Sequence, residues 1–267
     1  MLVEGRHFLP GAEARALGHK ALAVSLSDLA ACGATPRWIT LAVALPSADE
    51  RWLKGFSEGL FALADRHDIA LIGGDTTRGP LAIDITALGE VPAGKALSRA
   101  GARPGDDLWV SGELGGAALG LAHPEIRAAA KRLHEPEPRV ALGERLRGLA
   151  HAAIDVSDGL AGDLGHILER SAVGAVVRYQ DIPKDASLVN LKSEELEKQC
   201  VLSGGDDYEL LFTAAQEVRE KIELLGLELN LRLSRIGSIE KEKKLTILDR
   251  GNRPMAHQGG YDHFAAA

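Results

Sequence analysis

Two stretches constrain this chain more than any others. LIGGDTTRGP, residues 71–80, runs from apolar residues into two glycines, a carboxylate and two hydroxyls. LSGGDDYELLFT, residues 202–213, repeats the apolar–Gly-Gly-Asp theme. Glycines between an apolar run and an acid leave the backbone bare, so that another group can come close. Thirty glycines in 267 residues carry the same message along the whole chain.

Around these stretches the grammar is mixed. Residues 13–31 read as a helix, with Leu17, Ala21, Val24 and Leu29 near one stripe and Gly33 as its stop. Residues 38–45 read as a strand closed by Pro46. Ser47 then caps a helix over 49–67 that turns Trp52, Phe56, Leu60 and Leu63 inward. A short buried strand at 69–72 leads into the first glycine pair, and another strand follows at 81–91. The basic, turn-rich segment 95–104 marks a boundary. Beyond it, strands at 108–111, 152–156, 175–179, 229–236 and 244–248 mix with helices at 139–149, 160–170 and 216–225. Residues 192–198 read as a solvated helix face. The expectation is an α+β, or mixed α/β, chain of two domains, 1–97 and 98–267, each a mixed sheet packed with helices. One echo joins them: Asp28 of Ser27-Asp28 precedes Asp75 by 47 residues, and Asp158 of Ser157-Asp158 precedes Asp206 by 48. Coincidence and two halves of related layout both explain it.

Composition narrows the function. A net charge of -7 and only 4% aromatic residues disfavour a nucleic-acid binder, which needs a basic face and stacking platforms. An acidic protein still binds a nucleotide when a divalent metal supplies positive charge. The two cysteines, Cys32 and Cys200, are far apart and read as idle thiols in a reducing compartment. No stretch reaches about 18 apolar residues and the start has no apolar leader, so the expectation is a cytoplasmic protein without a membrane partner.

The candidate acids are Asp28, Asp75, Asp155 and Asp158, with Asp206, Asp207 and Glu209 behind them. Any one alone is also what a helix cap or turn would use. IDVSDGL is the most informative: Asp155 ends a strand and Asp158 opens a helix. Two such carboxylates can share a cation, and Ser157 between them can cap the helix or touch a phosphate. There is no GxxxxGK[ST], no GxGxxG after a first strand and no GxSxG. Few histidines and no paired cysteines argue against zinc. A glycine-and-aspartate site without an evident nucleophile suits metal-assisted phosphoryl transfer.

The chain resembles the bacterial thiamine-monophosphate kinase family of the PurM-like ATP-binding superfamily. The resemblance runs in order through LVEGRHF, LGHKALAVSLSDLAACGATP, LIGGDTTRGP, SRAGARPGD, IDVSDGL, LSGGDDYELLFT and GGYDHF. It implies a two-domain PurM-like fold and ATP-dependent phosphorylation of thiamine phosphate to thiamine diphosphate, with several magnesium ions. By the family pattern, Asp28, Asp75, Asp155 and Asp158 are metal ligands. Gly74, Asp75, Arg99 and Ser157 meet ATP, and His7, Glu209 and Tyr261 lie on the substrate side. An aromatic at Tyr261 suits a cationic thiazolium. The superfamily also pairs two subunits through the N-terminal domain, which implies a homodimer.

The family pattern begins earlier than Met1, with a G-[IV]-G-D-D motif and a hydroxyl-Asp pair that are metal ligands. The first domain is therefore expected to lack its usual N-terminal part, to offer fewer oxygens to magnesium and to bare a sheet edge. A catalytically impaired binder of nucleotide or thiamine phosphate stays open as an alternative. So does another PurM-like enzyme, such as selenophosphate synthetase or aminoimidazole-ribotide synthetase, although LVEGRHF and GGYDHF argue against it.

Overall fold

The computed structural model describes residues 1–257 and 259–260. Its first half contains β1 (Leu2–Val3), α1 (Ala14–Ala31), β2 (Thr35–Leu45), α2 (Glu50–Arg66), β3 (Ala70–Arg78) and β4 (Ala82–Glu90). The second contains β5 (Asp107–Ser111), α3 (Gly116–Ala122), α4 (Arg127–His134), α5 (Val140–Leu146), β6 (Ala150–Asp155), α6 (Leu160–Ser171) and β7 (Gly174–Arg178). It continues with α7 (Glu194–Ser203), β8 (Leu210–Ala214), α8 (Arg219–Glu228), β9 (Leu233–Glu240) and β10 (Leu245–Leu248). The strands form a four-stranded sheet, β1-β4-β2-β3, and a six-stranded sheet, β10-β7-β9-β5-β8-β6. Each is mixed: β2 and β3 are parallel, as are β7 and β10, and the other pairs are antiparallel. The expected mixed α/β architecture of two sheets is what forms.

The two halves share apolar packing. Along β5 and β8 successive side chains point to opposite faces. Trp109, Leu210, Phe212 and Ala214 join the core built on α1, α2 and the first sheet. Leu108, Val110 and Leu211 join a second core under α6 and α7. Helix α1 lies in the shared core and is buried on more than one side, so Lys20 and Ser27 are enclosed along with Leu17, Leu22 and Leu26. The single stripe expected from its sequence understates this burial.

Several expectations are corrected. Asp49, not Ser47, caps α2, accepting hydrogen bonds from the N–H groups of Arg51 and Trp52. The strand at 69–72 is neither short nor buried: β3 runs from Ala70 to Arg78, through the glycine pair, and is exposed along its length. It is exposed because it forms the outer edge of the first sheet beside β2. The strand expected at 229–236 begins only at Leu233, since Leu229 still caps α8. The echo between halves does not survive: Ser27-Asp28 lies inside α1, whereas Ser157-Asp158 lies in the loop before α6. The first glycine pair is in a strand, and the second follows a helix. Among the described residues, no helix is long and apolar enough to cross a membrane.

Candidate functional site

The most informative geometry lies where α1 meets the loops at the ends of β6 and α7. Asp155, the last residue of β6, is 5% exposed, and its Oδ2 accepts a hydrogen bond from Ser27 Oγ of α1 at 2.7 Å. Burial, with the charge of Asp28 nearby, pushes Asp155 up to about 6. Asp28, one residue beyond Ser27, is raised by partial desolvation, while Arg99 pulls it down. Asp28, Asp155 and Arg99, drawn from three distant parts of the sequence, therefore feel one another. Asp28 and Asp155 repel each other, with Arg99 and the N-terminal ammonium offsetting the charge on Asp28, and a hard cation would relieve that repulsion.

Ser157 and Asp158 follow on the same loop. Their backbone N–H groups both donate to Asp163 Oδ2, at 3.0 Å each. Asp163 sits in the first turn of α6, and burial raises it to about 7. Sequence reasoning passed over Asp163. Its signal was an acid a few residues past SDG, able to fold back on the loop. The loop from Gly204 to Glu209 lies directly against this one. Asp206 N donates to Ser157 O at 2.8 Å, Tyr208 N to Val156 O at 2.9 Å and Val156 N to Glu209 O at 2.8 Å. Gly205 adopts φ +68, and a Cβ there would lie 2.3 Å from Ser157 O. Only glycine permits that approach.

The three acids behind Gly205 are each engaged. Asp206 accepts from Lys20 Nζ of α1 at 2.9 Å and from the Tyr208 hydroxyl at 2.9 Å. Asp207 accepts the N–H groups of Gly115 and Ala117, and burial pushes it up to about 8. Glu209, buried, accepts from Arg139 Nε at 2.7 Å, from Arg139 Nη2 and from Ser111 Oγ at 2.6 Å. Lys20 and Arg139 were also passed over. A lone lysine within ALGHKALAVSL, with no acid near it in sequence, was the available signal for a distant partner.

Asp75 and Gly74 lie apart, on β3. Gly74 has φ +149, and a Cβ there would meet Leu41 O of β2 at 1.8 Å, so strand packing itself requires glycine. Asp75 pairs across Ala42 of β2 with Asp84 of β4, which places two carboxylates in one row on the sheet's open face. His7 Nδ1 accepts the Val3 N–H at 3.0 Å. Tyr261 lies outside the described residues, but Gly260 before it packs against Asp158 and Gly162. Both cysteines are free; Cys32 is exposed and Cys200 buried.

The oxygen-only donors fit magnesium better than zinc. Among the described residues no three His, Cys, Asp or Glu side chains converge into a ready-made metal cluster. The described residues therefore do not bring Asp28, Asp75, Asp155 and Asp158 together as one ligand cluster.

Residues 1–91 match the family model for AIR synthase related protein, N-terminal domain, and residues 103–250 match the corresponding C-terminal domain. Fold and family models together define an AIR synthase related, PurM-like protein. The thiamine-monophosphate kinase of Salmonella typhimurium is 43% identical over 275 residues, covering 99% of this chain and 85% of that protein. The thiamine-monophosphate kinase of Stenotrophomonas maltophilia superposes with a TM-score of 0.89 at 49% identity, covering 92% of this chain and 82% of that one. AaThiL complexed with AMPPCP and TMP superposes with a TM-score of 0.85 at 27% identity, covering 98% and 85%. The chain belongs to the thiamine-monophosphate kinase family, a family of kinases.

Proposed function

We propose that this chain transfers the terminal phosphoryl group of ATP to thiamine phosphate, giving thiamine diphosphate by direct in-line transfer. The observation that carries the reading is the Ser27–Asp155 hydrogen bond, which brings Asp28, the next residue of α1, within electrostatic reach of Asp155, in a chain 43% identical to a thiamine-monophosphate kinase. AaThiL, a structural neighbour, is complexed with both AMPPCP and TMP. We place the division between the two domains at 97/98.

The acceptor is itself a phosphate with a second pKa near 6, so its oxygen is already anionic at neutral pH and needs no general base. The main obstacle is repulsion between two anions. Asp28, Asp155 and Asp158 would hold magnesium at the junction of the halves, and Asp75, apart from them on β3, is the fourth proposed ligand. When bound, those ions neutralise charge on the phosphate oxygens. Arg99 would steady the nucleotide phosphates, and Ser157 and Gly74 would approach them. His7, Glu209 and Tyr261 would face the acceptor. Glu209 would do so with its carboxylate already fixed by Arg139 and Ser111.

The open face of the first sheet favours a homodimer. Ile39, buried completely, faces the helices, while its neighbour Trp38 lies on the other face opposite Leu88, and the two are 41% and 44% exposed. An uncovered sheet face of this kind commonly marks an interface.

The test is direct: ATP, magnesium and thiamine phosphate are incubated with the chain and thiamine diphosphate is quantified. Product formation without a trapped phospho-enzyme is expected. Binding of both substrates without turnover would identify a binding module instead, and a phospho-enzyme would overturn direct transfer.

A further inference from the structure

Helix α1 carries two polar side chains that are buried and reach across to the second half. Lys20 is 2% exposed and Ser27 is fully buried. They are seven residues apart, two turns along one face of the helix. Lys20 Nζ contacts Asp206 at 2.9 Å and Ser27 Oγ contacts Asp155 at 2.7 Å. Both partners belong to one backbone-bonded unit, because the loops at 156–158 and 205–209 share three main-chain hydrogen bonds. The far loop is also in a costly conformation: Asp206 and Tyr208, neither of them glycine, have φ of +61 and +51. Such residues persist only where the surroundings hold them, and they gather at working sites.

We infer that α1 is a strut whose Lys20 and Ser27 are positioning residues: they set the paired loops carrying Asp155, Ser157, Asp158 and Asp206 against the first half of the molecule. The inference rests on the kinase reading for its activity readout. Neither residue need touch a substrate. Lys20 acts through Asp206, and Ser27 through Asp155. Enclosure of both side chains makes the coupling stiff, since neither can swing into water when the loops shift.

Lys20→Met keeps the aliphatic stem and removes the charge. The Asp206 side chain is 33% exposed and hydrates once the lysine is gone, so the variant folds. Its kcat/KM for thiamine diphosphate formation falls about 10–100-fold, the range found when an outer partner that supports a metal site is lost. Amide exchange at 205–208 speeds up while exchange in β8 stays slow. Ser27→Ala gives a loss of the same order. In Lys20→Met/Asp206→Asn the losses do not add, because one acts through the other. Wild-type kcat/KM in Lys20→Met, a lowered melting temperature with unchanged kcat/KM, or additive losses in the double variant each overturn the strut. A wild-type chain that makes no thiamine diphosphate overturns the kinase reading instead. Exchange at 205–208 then decides the strut alone: faster in Lys20→Met supports it and unchanged rejects it.

Discussion

The Arg139–Glu209 pair offers the clearest energetic test. The carboxylate side chain is 3% exposed and the guanidinium 16%. Both Glu209 oxygens are used, by Arg139 and by Ser111, whose own Oγ accepts the Leu210 N–H at 2.9 Å. Arg139→Met leaves a buried carboxylate with one hydroxyl donor. Breaking a buried pair from one side costs about 3–5 kcal/mol, because the remaining charge is left uncompensated. The unfolding entropy is about 2.1 cal/mol/K per residue; over 267 residues that is about 0.6 kcal/mol/K, so Tm falls by about 5–8 °C. Glu209→Gln keeps the shape and one acceptor and leaves the charge on the more hydrated partner, so its cost is about 1.5–3 kcal/mol. Arg139→Met combined with Glu209→Leu recovers part of the loss, since no buried charge remains. Thermal denaturation followed by circular dichroism reads all three. A Tm drop below about 2 °C for Arg139→Met, or a double variant no better than the single, would refute the claim of a sequestered ion pair.

Other outcomes follow from the same geometry. Burial holds Asp207 at about 8, above its ordinary value near 4, so the folded state favours the protonated form. Its contribution to stability is complete below about pH 4 and is lost as pH rises toward 8; Asp207→Asn should flatten that slope in denaturant titrations, and an unchanged slope would show that another group sets it. Gly74→Ala drives a Cβ toward Leu41 O, 1.8 Å away, and should cost about 1–3 kcal/mol with weakened nucleotide binding; a neutral result in urea unfolding would mean that β3 lifts freely from β2. Trp38→Glu on the open sheet face should halve the mass seen by light scattering. A wild-type chain that is monomeric at micromolar concentration would remove the homodimer.

The sheet-and-helix order was legible because local signals agreed: the apolar stripe and Gly33 for α1, the Trp52-Phe56-Leu60-Leu63 face for α2, and a strand running into SDG. Asp155 and Asp158 stood out for the same reason, being acids at an element's end. The extent of β3 was misread because glycines usually stop a strand. Here Gly74 continues it, since its missing side chain lets β2 come close.

Which residues could do chemistry and which segments would turn is readable along the chain, because glycine, proline and alternating apolar residues act over a few neighbours. Which partners the acids find is set by the packed fold. Ser27 and Asp155 are 128 residues apart, and Lys20 and Asp206 are 186 apart. No local periodicity encodes such contacts. They exist because α1 is enclosed by packing from both halves, and a buried hydroxyl or ammonium must find its partner wherever the core delivers one.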